Sequence, residues 1–66
     1  MNYTLEEAKR RLIDAKESKQ YWGDIAMSAY TEARFDRASN MANKYAERIY
    51  KLEAYIAREE KRQNNV

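Results

Sequence analysis

The chain lacks cysteine, histidine and proline altogether, and it contains a single glycine. Without cysteine, no disulfide can staple the fold and no thiolate can bind a metal. Without histidine, the commonest general base and the commonest metal ligand are both missing. One glycine provides no phosphate-cradling loop, and with no proline few residues can break a helix. These absences count against an enzyme or a metalloprotein and favour long, uninterrupted helices.

Long apolar runs are also missing from the sequence. No basic segment followed by an apolar run stands at the N-terminus, and no stretch is long enough to cross a bilayer. The sequence therefore predicts neither a signal peptide nor a membrane span, and we expect a cytoplasmic protein. Charged residues make up 36% of the chain and hydrophobic residues 44%, with a net charge of +2. This balance is typical of amphipathic helices and predicts one helical domain over residues 1–66.

The first half of the chain has the pattern of one long helix. Thr4 is a candidate N-cap, and Glu7 stands three residues later, where a capping box places its acidic member. Apolar residues then recur at alternating steps of three and four, which is helical spacing, and Lys19 is the one polar exception. This pattern predicts a helix over about residues 5–33, with these seam positions: Leu5, Ala8, Leu12, Ala15, Lys19, Trp22, Ala26, Ala29 and Ala33.

Gly23 lies inside this first predicted helix and leaves two interpretations open. A glycine in a helix interior costs roughly 1 kcal/mol relative to alanine, which weakens a helix without ending it. Trp22 and Ala26 keep the same phase on either side, so we favour a continuous helix in which Gly23 gives room for close packing. The alternative is a break at Gly23, with Asp24 capping a second short helix and three helices in total.

The second half of the chain predicts another long helix. The segment from Arg37 to Arg62 contains neither glycine nor proline. Asp36 is a candidate N-cap, which places the turn at residues 33–36 and the helix at about residues 37–62. Its seam positions step by three or four residues: Ala38, Ala42, Tyr45, Ile49, Leu52 and Ile56.

Two such helices joined by a short turn predict an all-α fold, an antiparallel helical hairpin. Pairing the helices about this turn places Trp22 opposite Ile49 and Ala15 opposite Ile56. Apolar side chains also continue beyond this seam, and one partner helix covers a stripe only about 100° wide. A second copy would cover the remainder and form a four-helix bundle as a homodimer. The residues expected at this oligomer interface are Phe35, Ala46, Tyr50 and Ala57 with Tyr21 and Ile25.

A row of cations on the second predicted helix is the candidate partner-binding site. Cations at helical spacing can follow phosphates, and a tyrosine among them can stack on an unpaired base. The same row can meet an acidic protein surface, or it can be a solvated face that keeps the bundle soluble. The residues in this row are Arg37, Lys44, Arg48, Lys51, Tyr55, Arg58 and Arg62.

The predicted architecture, a short helical hairpin that dimerises into a four-helix bundle, resembles the repressor-of-primer family of plasmid proteins. That family binds paired RNA loops along one face of its bundle. The resemblance is architectural, with no motif matched residue by residue, and it assigns no site. Residues 33–38, which read Ala-Arg-Phe-Asp-Arg-Ala, are also similar to the inter-helix turn of a tetratricopeptide repeat.

The sequence therefore predicts a small, non-enzymatic interaction protein that self-associates and binds another macromolecule to modulate or inhibit it. Small cysteine-free domains of this style are common among phage and mobile-element accessory proteins, so an inhibitor of a host protein is the more specific hypothesis. The expected partners are a second copy and a protein with an acidic surface, with structured RNA or DNA as the alternative. No cofactor, metal, membrane or small-molecule substrate is expected.

Overall fold

The computed structural model describes residues 3–64, which form two helices joined by a four-residue turn. Helix α1 is Leu5–Met27 and helix α2 is Glu32–Asn64. The two helices pack against each other along their lengths, and no strand is present over residues 3–64. The predicted all-α helical hairpin is confirmed. A rod-like shape results, with principal extents of 53 × 16 × 14 Å.

Helix α1 begins as the sequence predicts. Thr4 has extended backbone angles, and its side-chain oxygen accepts a hydrogen bond from the backbone N–H of Glu7 at 3.2 Å. Glu6 and Glu7 occupy the first turn, where their negative charge complements the helix dipole. Gly23 lies within continuous helix, so the alternative of three helices is wrong.

The turn lies closer to the N-terminus than the sequence predicts. Helix α1 ends at Met27 rather than near residue 33, and α2 begins at Glu32 rather than at residue 37. The Ser28 hydroxyl donates to the backbone carbonyls of Asp24 and Ile25, at 3.1 and 3.3 Å, and the Ser28 backbone N–H donates to the same two carbonyls at 3.2 Å. Thr31 caps α2, because its side-chain oxygen accepts from the Arg34 N–H at 3.2 Å.

Two sequence-based expectations fail with this change of turn. Asp36 is not an N-cap, since it lies inside α2. Residues 33–38, which resemble a tetratricopeptide turn, are likewise helical. The error has a physical cause. Ala29 and Ala33 extend the apolar repeat without adding much apolar area, so the repeat does not prevent α2 from starting at the Thr31 cap.

The core of the hairpin lies toward its open end. Ala8, Ala15, Leu52 and Ile56 form a buried cluster there. Half-buried side chains pack around this cluster: Tyr3, Leu5, Leu12, Tyr45, Ile49 and Tyr55. Nearer the turn, Ala38 is buried with only 1% of its surface exposed.

The earlier turn also shifts the pairing between the helices. Ile49 packs on the cluster that contains Ala8 and Ala15, whereas Trp22 lines a cavity with Ala38 and Met41. The predicted opposition of Trp22 and Ile49 is therefore wrong. Trp22 is half-buried beside the turn and is not part of the main core.

Candidate interaction surfaces

The basic flank is the row of residues that the sequence predicts as a partner-binding site: Arg37, Lys44, Arg48, Lys51, Tyr55, Arg58 and Arg62. All seven lie on α2, and helical spacing keeps them on one side of the seam. The six cations are exposed. The structure therefore places the six predicted cations, all exposed, on one side of α2.

Three side chains of the basic flank make contacts within the hairpin. Tyr55 is half-buried, packs on the core and donates a hydrogen bond from its hydroxyl to the Tyr3 carbonyl. The Arg48 guanidinium lies 5.4 Å from the centroid of the Tyr45 ring, in a cation–π arrangement. Arg62 approaches Glu59 at 3.7 Å. Tyr55 thus holds Tyr3 through its hydroxyl, and it also lines a surface depression with Lys51 and Arg58.

A groove runs between the helices beside the middle of the basic flank, and we call it the central groove. Its volume is about 530 Å³. Arg11 joins it from α1, where its guanidinium lies 4.2 Å from the centroid of the Tyr3 ring. The groove is lined by four cations, two acids and two further side chains: Arg11, Lys44, Arg48, Lys51, Asp14, Glu47, Tyr3 and Leu52. Its electrostatic character is basic.

The apolar flank, defined as Phe35, Ala46, Tyr50 and Ala57, lies on the opposite side of the seam from the basic flank. The two groups are separated on the helix surface by the residues that face α1. Tyr50 has 76% of its surface exposed and Phe35 50%, which is high for side chains of this size. Lys9 of α1 meets Glu60 of α2 at 3.7 Å across the same side of the hairpin.

Tyr21 and Ile25 lie away from the apolar flank, although the sequence grouped them with it. Ile25 lines a cavity with Arg37, a member of the basic flank. Tyr21 is four residues before Ile25 on the same helix, and its ring packs edge-on against Trp22 with centroids 5.3 Å apart. The predicted oligomer interface therefore separates into two groups on opposite sides of the hairpin.

The cavity beside the turn, here called the turn cavity, is a feature that sequence reasoning missed. It has a volume of about 540 Å³ and lies where α1 ends and α2 begins. Its lining is mainly apolar with two arginines: Trp22, Ile25, Ser28, Ala29, Tyr30, Arg34, Arg37, Ala38 and Met41. The wrong placement of the turn concealed it, because Trp22 and Ala38 come together only when the chain reverses at residues 28–31.

Comparison with known protein families, curated proteins and solved structures finds no match for this chain. Over residues 3–64, no helix combines the length and apolar character needed to cross a membrane. In the same part of the chain, the acidic side chains do not gather in groups of three or more that could hold a metal ion.

Proposed function

We propose that the protein is a small, non-enzymatic interaction protein that self-associates and binds another macromolecule to modulate it. The observation that carries this proposal is the segregation of two unlike surfaces, the apolar flank and the basic flank, on opposite sides of one seam. Such an arrangement allows one surface to hold a second copy while the other faces a target. Inhibition of a host protein by a phage or mobile-element accessory protein is the most specific form of the proposal.

The exposed area of the hairpin supports self-association. The chain exposes 5622 Å², whereas a compact folded protein of 7.9 kDa exposes about 4,400 Å². The excess is larger than the roughly 800 Å² that each partner buries in a standard interface. A second copy packed on the apolar flank would remove most of this excess and would cover Tyr50 and Phe35.

An acidic protein surface is the target that the basic flank fits best. Arginine and lysine side chains contribute electrostatic complementarity, which accelerates association and selects the partner. The hydroxyl of Tyr55, the one aromatic side chain of this row, already donates to the Tyr3 carbonyl and so is not free to donate to a base. An acidic surface needs only the cations, which are exposed.

Pull-down from the source cell with two charge-matched variants tests this proposal. The first variant combines Arg48→Glu with Arg58→Glu on the basic flank, and the second combines Arg10→Glu with Lys16→Glu on α1, away from both flanks of α2. The two variants make the same change in net charge, and all four side chains are exposed. We expect the first to lose the partner and the second to retain it. Retention by both would show that the basic flank is only a solvated face.

Binding of structured RNA is a second candidate, favoured by the four cations that line the central groove. Electrophoretic mobility shift at several salt concentrations distinguishes the two functions. Phosphate binding weakens steeply as salt increases, because each neutralised phosphate releases a counterion. A complex that forms with RNA and follows this dependence would support the second candidate. Capture of an acidic protein, with no mobility shift of RNA even at low salt, would support the first.

A further inference from the structure

The turn cavity combines an apolar floor with two cations at its rim. Trp22, Ile25 and Met41 contribute the floor, and Arg34 and Arg37 lie at the edge. The volume of about 540 Å³ is within the range of about 300–1,000 Å³ that is typical of ligand pockets. A site of this kind fits a ligand that combines a bulky apolar group with neighbouring negative charges.

The two arginines at the rim are available to a partner. Both are exposed, and neither takes part in the two ion pairs that residues 3–64 form. The residues that line the cavity include no aspartate or glutamate. Guanidinium groups bind carboxylates through paired, charge-assisted hydrogen bonds, so a carboxylate beside the apolar group would complement this rim.

We propose that the turn cavity is the docking site for an acidic peptide segment of the partner, with a bulky apolar side chain inserted over Trp22 and flanking carboxylates on Arg34 and Arg37. The proposal rests on the proposed function and assigns to it a specific anchor point. Tryptophan, tyrosine and arginine are the residues that most often carry binding energy at interfaces, and the cavity contains all three. Ile25 offers no hydrogen-bonding group and Met41 only a weak thioether acceptor, so they can cover an apolar side chain but cannot pair with the polar edge of a nucleotide base.

Trp22 is the sole tryptophan of the chain, so its fluorescence reports directly on this cavity. A phage-displayed library of random peptides is selected on the full chain and counter-selected on the variant Arg34→Glu plus Arg37→Glu. This variant should remain folded, because acidic residues near the start of a helix suit its dipole; circular dichroism checks this. We expect the surviving peptides to combine a bulky apolar residue with neighbouring acids. The selected peptide, once synthesised, should shift Trp22 emission.

Two altered peptides and two protein variants test whether the selected peptide binds at the turn cavity. Replacement of the acids by lysine, or of the apolar anchor by serine, should weaken binding by about tenfold or more. The Arg34→Glu plus Arg37→Glu variant should lose the acidic peptide and gain affinity for its lysine counterpart. The variant Arg48→Glu plus Arg58→Glu, distant from the cavity, should bind the acidic peptide with an affinity within about twofold of the unaltered chain.

Several outcomes would overturn this assignment. The selection could yield no peptide that depends on Arg34 and Arg37, or only peptides without acids. Single-stranded oligodeoxythymidine could shift Trp22 emission through the same arginines, which would assign the cavity to nucleic acid. Trp22 emission could change on dilution of the protein alone, which would show that a second copy fills the cavity. If no acidic peptide binds at the turn cavity but Arg48→Glu plus Arg58→Glu still abolishes pull-down, the proposed function is retained and only the docking site is wrong.

Discussion

At the scale of single residues, the environment of Gly23 differs most from its sequence-based interpretation. The sequence suggests that this glycine permits close packing beside Trp22. In the hairpin, a Cβ built on Gly23 would meet no atom within 4 Å beyond its chain neighbours and the backbone of its own helical turns. Close packing inside the hairpin therefore does not explain this residue.

Gly23→Ala should stabilise the hairpin by about 0.5–1 kcal/mol, because alanine has the higher helix propensity and its methyl group enters open space. Urea unfolding followed by circular dichroism measures the change in the free energy of unfolding. A loss of stability or of dimer mass would instead show that a second copy approaches the backbone at this position.

Tyr55 and Trp22 show how side-chain roles depend on contacts that spacing cannot specify. Both were assigned from helical position, Tyr55 to an exposed site and Trp22 to the core. Tyr55 is half-buried through its contacts with the core and the Tyr3 carbonyl, and Trp22 is half-buried at a cavity. Helical spacing predicts which face of its helix each residue lies on. How far each side chain is buried depends on the residues that pack against it in the folded hairpin.

At the scale of the helices, the two N-caps have the same chemistry. Thr4 and Thr31 each accept a hydrogen bond from the backbone N–H three residues later, and acids follow in the first turn of each helix. Thr31 followed by Glu32 was thus a signal available in the sequence. The extended alanine repeat masked it, because a periodic pattern has no internal marker of where a helix stops.

Thr31→Ala should destabilise the hairpin by about 1 kcal/mol, since it removes the side-chain acceptor that caps α2. Asp36→Ala, inside α2, should change the free energy of unfolding by less than about 0.5 kcal/mol. Thermal unfolding of both variants measures the difference. If Asp36→Ala proved the more damaging change, the turn would belong at residues 33–36.

At the scale of the whole molecule, the small core makes a second copy an energetic advantage. Over residues 3–64 the buried side chains are three alanines, one leucine and one isoleucine, which together bury little apolar area for a chain of this length. Exposed tyrosine, phenylalanine and methionine side chains remain on the surface. Association that covers the apolar flank would add the burial that the hairpin lacks.

Size-exclusion chromatography with light scattering should give the mass of a dimer for the unaltered chain. Tyr50→Glu should raise the dimer dissociation constant by about a hundredfold or more, because it would place an unpaired charge in the interface. Tyr21→Glu, on the opposite side of the hairpin, is the matched control and should remain dimeric. A folded monomer at micromolar concentration, or dissociation by the control variant alone, would contradict this assignment.

The sequence by itself determined the all-α hairpin, the cap at Thr4 and the row of cations on the second helix. These features depend on local propensity and helical period, which are properties of neighbouring residues. Only the tertiary structure decided the position of the turn, the pairing of the helices and the separation of Tyr21 and Ile25 from the apolar flank. An alanine-rich seam carries too little apolar area to distinguish one register from another. The Thr31 cap marks the start of α2, and the observed register places Trp22 and Ala38 together in the lining of the turn cavity.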